Sequence, residues 1–300
     1  MKKTAFDIIK DQDLSGKIFL VTGGYSGLGA VTTKALLKAN ASVIVVGRNA
    51  KTQAEFAKSL AEDPDITFNE KQLDVSHTMD LGNLESVRDF AQYVNGHYEQ
   101  VDCLINNAGL MYTDPGKTED GFETQMGVNV IGHFLLSKIL AAKTKRQVWL
   151  SSKGHIRLGA PRIDLDAITQ VDEASYNPRL RYQQSKLGNI LLAKQFGVEY
   201  PHLTSVSVHP GVVKTNLGRN ITFGQIVKLI LSNPLILMQQ QTAEQGATTQ
   251  VMVATLPKNQ LVNGAYYADD KVAQEAKSAK NMEDAKKLFD YCEKVTADFQ

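Results

Sequence analysis

The chain has 300 residues, enough for one large domain or two small ones. Its 43% hydrophobic and 22% charged residues exclude a disordered tail, a collagen-like fibre and a coiled coil. Thirty-three basic side chains against 32 acidic leave a formal charge of +1, so no strong basic field is available to hold a nucleic-acid backbone. Two cysteines, Cys103 and Cys292, exclude a disulfide framework and a cysteine-rich zinc module.

At the start of the chain, Met1-Lys2-Lys3 is positive, but Asp7, Lys10, Asp11 and Asp13 interrupt any apolar run, so no signal peptide is expected. Residues 17–22 are a short apolar run before glycines and predict a buried strand. Residues 30–39 predict a helix, the β-branched 42–46 a strand, 52–60 a helix, 75–81 a weaker strand and 84–94 a helix. A strand at 101–106, a long helix at 123–142 and a strand at 147–151 follow. Next come a helix at 179–200, ended by Pro201, and a strand at 203–208. Strands so rich in apolar residues, alternating with helices, belong to a parallel sheet covered on both faces.

The last hundred residues are less regular. Residues 226–238 are the most apolar stretch, but Lys228, Asn233 and Pro234 break it, and it is too short to span a bilayer. It either packs on the core or on a second subunit, or caps a pocket for an apolar substrate. Residues 243–256 predict a helix stopping before Pro257, 264–268 a late strand and 283–296 a terminal amphipathic helix. The expected architecture is α/β: a single doubly wound parallel sheet of the Rossmann type with helices on both faces. The chain is expected to be cytoplasmic, without an integral membrane anchor.

Between the first strand and the first helix stands Thr22-Gly23-Gly24-Tyr25-Ser26-Gly27-Leu28-Gly29. Glycines there permit a tight turn and close approach of the backbone to a pyrophosphate, and the helix N-terminus adds free N–H groups and a positive dipole end. No Gly-Lys-Ser/Thr follows, so this is not a Walker phosphate loop. After the second strand, Gly47-Arg48-Asn49 replaces the acidic residue that grips a ribose 2′-hydroxyl. Arginine there suits a 2′-phosphate, which favours NADPH over NADH.

Tyr182 and Lys186 lie four apart on a predicted helix and share one face. Taken alone, the pair reads as a half-buried tyrosine beside a surface lysine. Functionally, an ammonium together with an oxidised nicotinamide would stabilise phenolate and ready the tyrosine to exchange a proton with a carbonyl or alcohol oxygen. The histidines His133, His155 and His209 show no metal-ligand spacing, and no metal is expected. Cys103 and Trp149 read as core.

In order, Thr22–Gly29, Asn106-Asn107-Ala108-Gly109, Asn129, Ser151-Ser152, Tyr182-Gln183-Gln184-Ser185-Lys186 and His209-Pro210-Gly211 resemble the motifs of short-chain dehydrogenases/reductases. The likeness covers about residues 16–270. It is greatest to the retinol dehydrogenase and WW-domain oxidoreductase branch, through 80–91, 129–136, 182–189 and 242–267. The resemblance implies Tyr182 as general acid/base, Lys186 as the group that lowers its pKa and holds the nicotinamide ribose, and Ser152, rather than Ser151, as the hydroxyl that polarises the substrate. It implies that Asn129 helps hold a water linking Lys186 to solvent.

Cofactor contacts would come from Gly23, Ser26, Gly27, Leu28, Gly29 and Arg48. Asn107, Ala108 and Gly109 would line the cleft, and Pro210, Gly211, Val213 and Thr215 would close over the nicotinamide and pyrophosphate. Asp80 and Leu81 would meet the adenine, with Asp74 the alternative to Asp80. One domain over 1–300 follows, with 16–220 as cofactor-binding and catalytic core and 221–300 as substrate cap and C-terminal helices. The implied activity is NADP(H)-dependent, reversible oxidoreduction of an apolar aldehyde, ketone or retinoid-like compound. The rivals are a reductase of steroid or polyketide-type ketones and a non-catalytic NADP(H)-sensing or scaffold protein. Residues 153–178 would form part of the substrate mouth. Family members often pair through the two long helices, which makes a homodimer through 123–142 and 179–200 an expectation.

Overall fold

The computed structural model describes residues 2–156, 162–213 and 240–300. A short helix α1 (Ala5–Ile9), closed by a Thr4–Asp7 capping box, precedes strand β1 (Ile18–Thr22) and helix α2 (Gly27–Lys38). Strand β2 (Ser42–Val46), helix α3 (Ala50–Ala61), strand β3 (Leu73–Asp74), helix α4 (Leu84–His97) and strand β4 (Cys103–Asn106) follow. Next come α5 (Thr124–Met126), a π turn (Gly127–Ile131), α6 (Gly132–Ile139), β5 (Arg146–Leu150), α7 (Pro178–Glu199) and β6 (Thr204–His209). Two short strands, β7 (Val212–Val213) and β8 (Gln240–Gln241), pair in parallel with each other. The chain ends through α8 (Ala243–Gly246), α9 (Thr248–Thr255), β9 (Tyr266–Ala268), β10 (Lys271–Val272) and α10 (Met282–Val295).

The main sheet runs in the order β10-β9-β6-β5-β4-β1-β2-β3, with every pairing parallel except that of β10 with β9. Alternate residues of each strand feed opposite cores, which is why the strands are apolar throughout. Leu20, Ile44, Leu104 and Trp149 join α4, α6, α7 and α10 on one face. Phe19, Val43, Val45, Cys103, Ile105 and Val148 join α1, α2, α3 and α9 on the other. Chain order reverses between β1 and β4, so their carboxyl ends open a crevice at the switch point.

Sequence patterning needs correction in places. The strand expected at 75–81 does not form, since β3 ends at Asp74. Gln53 Nε2 takes the carbonyls of Val75 and His77 at 3.3 and 2.9 Å, and Met79 N turns back to the Gly47 carbonyl at 3.0 Å. Those groups therefore have partners outside any ladder. The helix expected at 123–142 is interrupted by the π turn, and that at 243–256 divides at Ala247. No helix among the described residues is long and apolar enough to cross a membrane.

Candidate active site

The glycine turn leaves β1 with Gly23 N donating to the Val46 carbonyl at 2.7 Å. Gly27 sits at φ 51°, the left-handed region that favours glycine. At Gly29 even a methyl group would fall 2.3 Å from the Gly23 carbonyl oxygen. Ser26 is the N-cap of α2, yet its side chain does not cap the helix, so the first-turn N–H groups keep their capacity for an anion. The turn opens on a cleft of about 400 Å³.

Among the expected cofactor contacts, Gly23, Ser26, Leu28 and Gly29 line this cleft from the turn, Arg48, Asp80 and Leu81 from beyond β2 and β3, and Asn107, Ala108 and Gly109 from the end of β4. Gly27 shapes the turn without lining the cleft. Asp74 lies outside it: Ser76, Tyr98 and Tyr93 donate to its carboxylate, and together they outweigh burial and hold it below its ordinary pKa. Asp80 accepts from Gly82 N at 2.8 Å inside the cleft.

Pro210 and Val213 flank Gly246 together with Leu28, and Gly211 stands at φ 90°. Thr215 and residues 226–238 lie outside the described residues, as do residues 157–161 of the substrate-mouth segment.

Thr22, His133 and Gln53 build this floor in roles the sequence does not announce. The Thr22 hydroxyl accepts the amides of Asn107 and Ala108, each at 2.9 Å, which leaves its own proton for His133 Nε2 at 2.9 Å. His133 then carries its proton on Nδ1 and donates to the Asn129 carbonyl at 3.3 Å. Burial, with the nearby Lys186 charge, pushes His133 down to about 3, so the ring is neutral. Its sequence signal is spacing: it follows Asn129 by four residues. Gln53, buried on α3, holds Gly47 N at 2.8 Å and so fixes the backbone that presents Arg48.

Asn177 caps α7 through Leu180 N, and Pro178 begins the helix. This helix brings Tyr182 and Lys186, both buried, under the end of β5. Lys186 Nζ donates to the Leu150 carbonyl at 3.0 Å and lies 5.7 Å from the centre of the Tyr182 ring. Burial pushes Lys186 down to about 8. Burial also pushes the Tyr182 hydroxyl up, against a hydrogen bond with Ser152 that pulls it down. The lowering expected from the sequence requires an oxidised nicotinamide beside Lys186; the protein's own surroundings raise the hydroxyl through burial.

Ser151 points away, donating to the Lys186 carbonyl at 2.7 Å and tying α7 to β5, whereas Ser152 is half-exposed beside Tyr182. The Asn129 side chain accepts from Leu110 N and donates to Leu110 O and to Ser185 Oγ. It braces the β4 loop against α7, with one lone pair of Oδ1 left for a further donor. A Cβ on Gly109 would lie 3.1 Å from Asn129 Oδ1 and 3.4 Å from Lys186 Nζ, which shows how closely the cleft meets Lys186.

A doubly wound sheet with an anion-receiving glycine turn at its switch point, continued by a buried Tyr-Lys pair and a serine, defines a dinucleotide-dependent oxidoreductase. Residues 17–156 match the short chain dehydrogenase family model. The chain is 36% identical to mouse (Mus musculus) retinol dehydrogenase 14 over 93% of its length and 86% of that protein. Among solved structures, an uncharacterized protein from Mycobacterium paratuberculosis superposes with a TM-score of 0.76 at 27% identity, covering 99% of this chain and 98% of that one. The NADP complex of Pseudomonas aeruginosa RhlG superposes at 0.64 with 22% identity, covering 85% of this chain and 95% of that one, a likeness of fold. This chain belongs to the short-chain dehydrogenase/reductase family, with the retinol dehydrogenases among its relatives, and is an enzyme that oxidises alcohols or reduces carbonyl compounds.

Proposed function

We propose that the protein reduces apolar aldehydes or ketones, retinoid-like ones included, with NADPH in preference to NADH, and catalyses the reverse oxidation of the alcohols. One observation carries this reading: the cleft that begins at the glycine turn and Arg48 ends on Gly109, beside Lys186 and Asn129. The retinol dehydrogenases among its relatives support a retinoid-like substrate.

The cradle fits a dinucleotide, because a side chain at Gly29 would collide with the backbone and the α2 N-terminus keeps its donors open. Gly23 and residues 26–29 would hold the phosphates, Arg48 the 2′-phosphate and Asp80 with Leu81 the adenine end. Asn107, Ala108 and Gly109 would lie along the middle, and Pro210, Gly211, Val213 and Thr215 over the nicotinamide. The bound cofactor supplies or accepts the hydride.

In reduction, Ser152 donates a hydrogen bond to the substrate oxygen and Tyr182 gives that oxygen its proton. Burial keeps Tyr182 protonated until then, and Lys186 offsets the phenolate left behind. The two long helices do not pair with a second copy in this reading, because α10 lies across them. The cytoplasm is its working place.

The test is NADPH and NADH consumption against aldehydes and ketones from small to bulky, with Tyr182→Phe alongside. The variant should lose at least about 10²-fold in turnover while binding NADPH as before. Turnover retained in the variant would sink the assignment.

A further inference from the structure

Tyr112 stands at φ 56°, in the left-handed region. The other described non-glycine residues with positive φ are Asn40, Asp269 and Asp270, types that tolerate it. A bulky aromatic there is strained, and such strain persists only where surrounding structure imposes it.

Gln125 imposes it. This buried side chain accepts from Tyr112 N at 2.9 Å and donates to Tyr176 Oη at 3.2 Å and to the Pro178 carbonyl at 2.9 Å. Tyr176 in turn donates to the buried Glu123 carboxylate at 2.7 Å, which also accepts from the amides of Gln125 and Met126. One hub thus ties the loop after β4 to the first turn of α7, the helix that carries Tyr182.

The product of this arrangement is a ring pair. Tyr112 meets Tyr182 edge to face, with centres 5.6 Å apart and planes at 84°. Leu110 and Met111 line the cofactor cleft, and the next residue, Tyr112, meets the Tyr182 ring beyond it. We infer that Tyr112 determines substrate specificity: its ring, fixed by the Gln125 hub, forms a rigid wall against the bulky part of an apolar carbonyl substrate while Tyr182 meets the carbonyl oxygen. This inference rests on the carbonyl-reduction reading above.

The experiment measures kcat and KM with NADPH for propanal and for naphthaldehyde, in wild type and in Tyr112→Phe, Tyr112→Ala and Tyr112→Asn. Tyr112→Asn suits the left-handed backbone and separates loss of the ring from misfolding. The alanine and asparagine variants should raise KM for naphthaldehyde about tenfold or more, with propanal within about twofold and the NADPH Kd unchanged. Tyr112→Phe should keep the wild-type pattern. Equal KM changes for both aldehydes, no change for either, or a shifted NADPH Kd would overturn the inference while leaving the reductase reading intact. A wild type that reduces neither aldehyde would overturn both.

Discussion

The Lys186 ammonium is hydrogen-bonded to the main-chain carbonyl of Leu150, the last residue of β5, at 3.0 Å. That partner brings a dipole and no opposite charge. Burial therefore dominates and pushes Lys186 from 10.5 down to about 8. In the proposed reduction the lysine would act as a cation, so kcat/KM for NADPH, which reports on the unliganded enzyme, is predicted to fall as pH rises through about 8. Lys186→Arg should move that fall above the accessible range, because arginine stays charged. A profile flat from about pH 7 to 9.5 in the wild type would refute this. Stability moves the other way: between about 8 and 10.5 the unfolded chain holds the extra proton, so the folded state gains with rising pH.

Arg48 stands exposed at the end of β2 and lines the cleft, on a backbone held by Gln53 and by the Asn49 cap of α3. Among the described residues none forms an ion pair or hydrogen bond with the Arg48 side chain, so substitution should spare the fold. Arg48→Asp is predicted to raise the Kd of NADPH about 10- to 100-fold, the size of a lost charge-assisted hydrogen bond plus repulsion, with NADH changing far less. Fluorescence titration of both cofactors decides it, and an equal loss for both would mean that Arg48 does not read the 2′-phosphate.

The sheet and most of the site were legible because their signals are local. Apolar runs marked β1, β2, β4, β5 and β6, and the glycine turn, the serine pair and the Tyr-Lys spacing announced themselves within a few residues. Asp74 and Asp80 offered one pattern twice; in the structure Tyr93 of α4 and Tyr98 just after it close on Asp74, while Asp80 lines the cleft. The Thr22–His133 bond spans 111 positions and the Tyr112–Gln125 hub joins three segments. No periodicity encodes such contacts. The strand expected at 75–81 failed for the same reason, since a distant glutamine took its carbonyls.

His133 supplies a pH test of the floor beneath the cleft. Its folded pKa is depressed to about 3 by burial, against an ordinary 6.5. Between those values the unfolded chain binds the proton and the folded chain does not, so the stabilising contribution is whole above about 6.5 and is lost as pH falls toward 3. Denaturant unfolding of wild type and His133→Gln across that window should show a stability gap that shrinks with acidification. A gap independent of pH would mean that His133 does not titrate as a buried neutral ring.

The final prediction concerns α10, the element that packs against both long helices. Phe289 from this helix meets Phe134 of α6 at 5.0 Å and Phe196 of α7 at 5.2 Å, both with steep ring angles. Lys138 of α6 pairs with Glu293 of α10, and Leu288 comes within reach of Gly188 on α7. α10 thus packs against both long helices of the chain. Phe289→Ala should cost about 3–5 kcal/mol, the usual loss for a buried phenylalanine, because its two aromatic partners sit on different helices and cannot close together over the gap. Sedimentation of the wild type should give a monomer across micromolar concentrations. A wild-type dimer whose cross-links map to α6 and α7 would show instead that α10 yields this face to the partner.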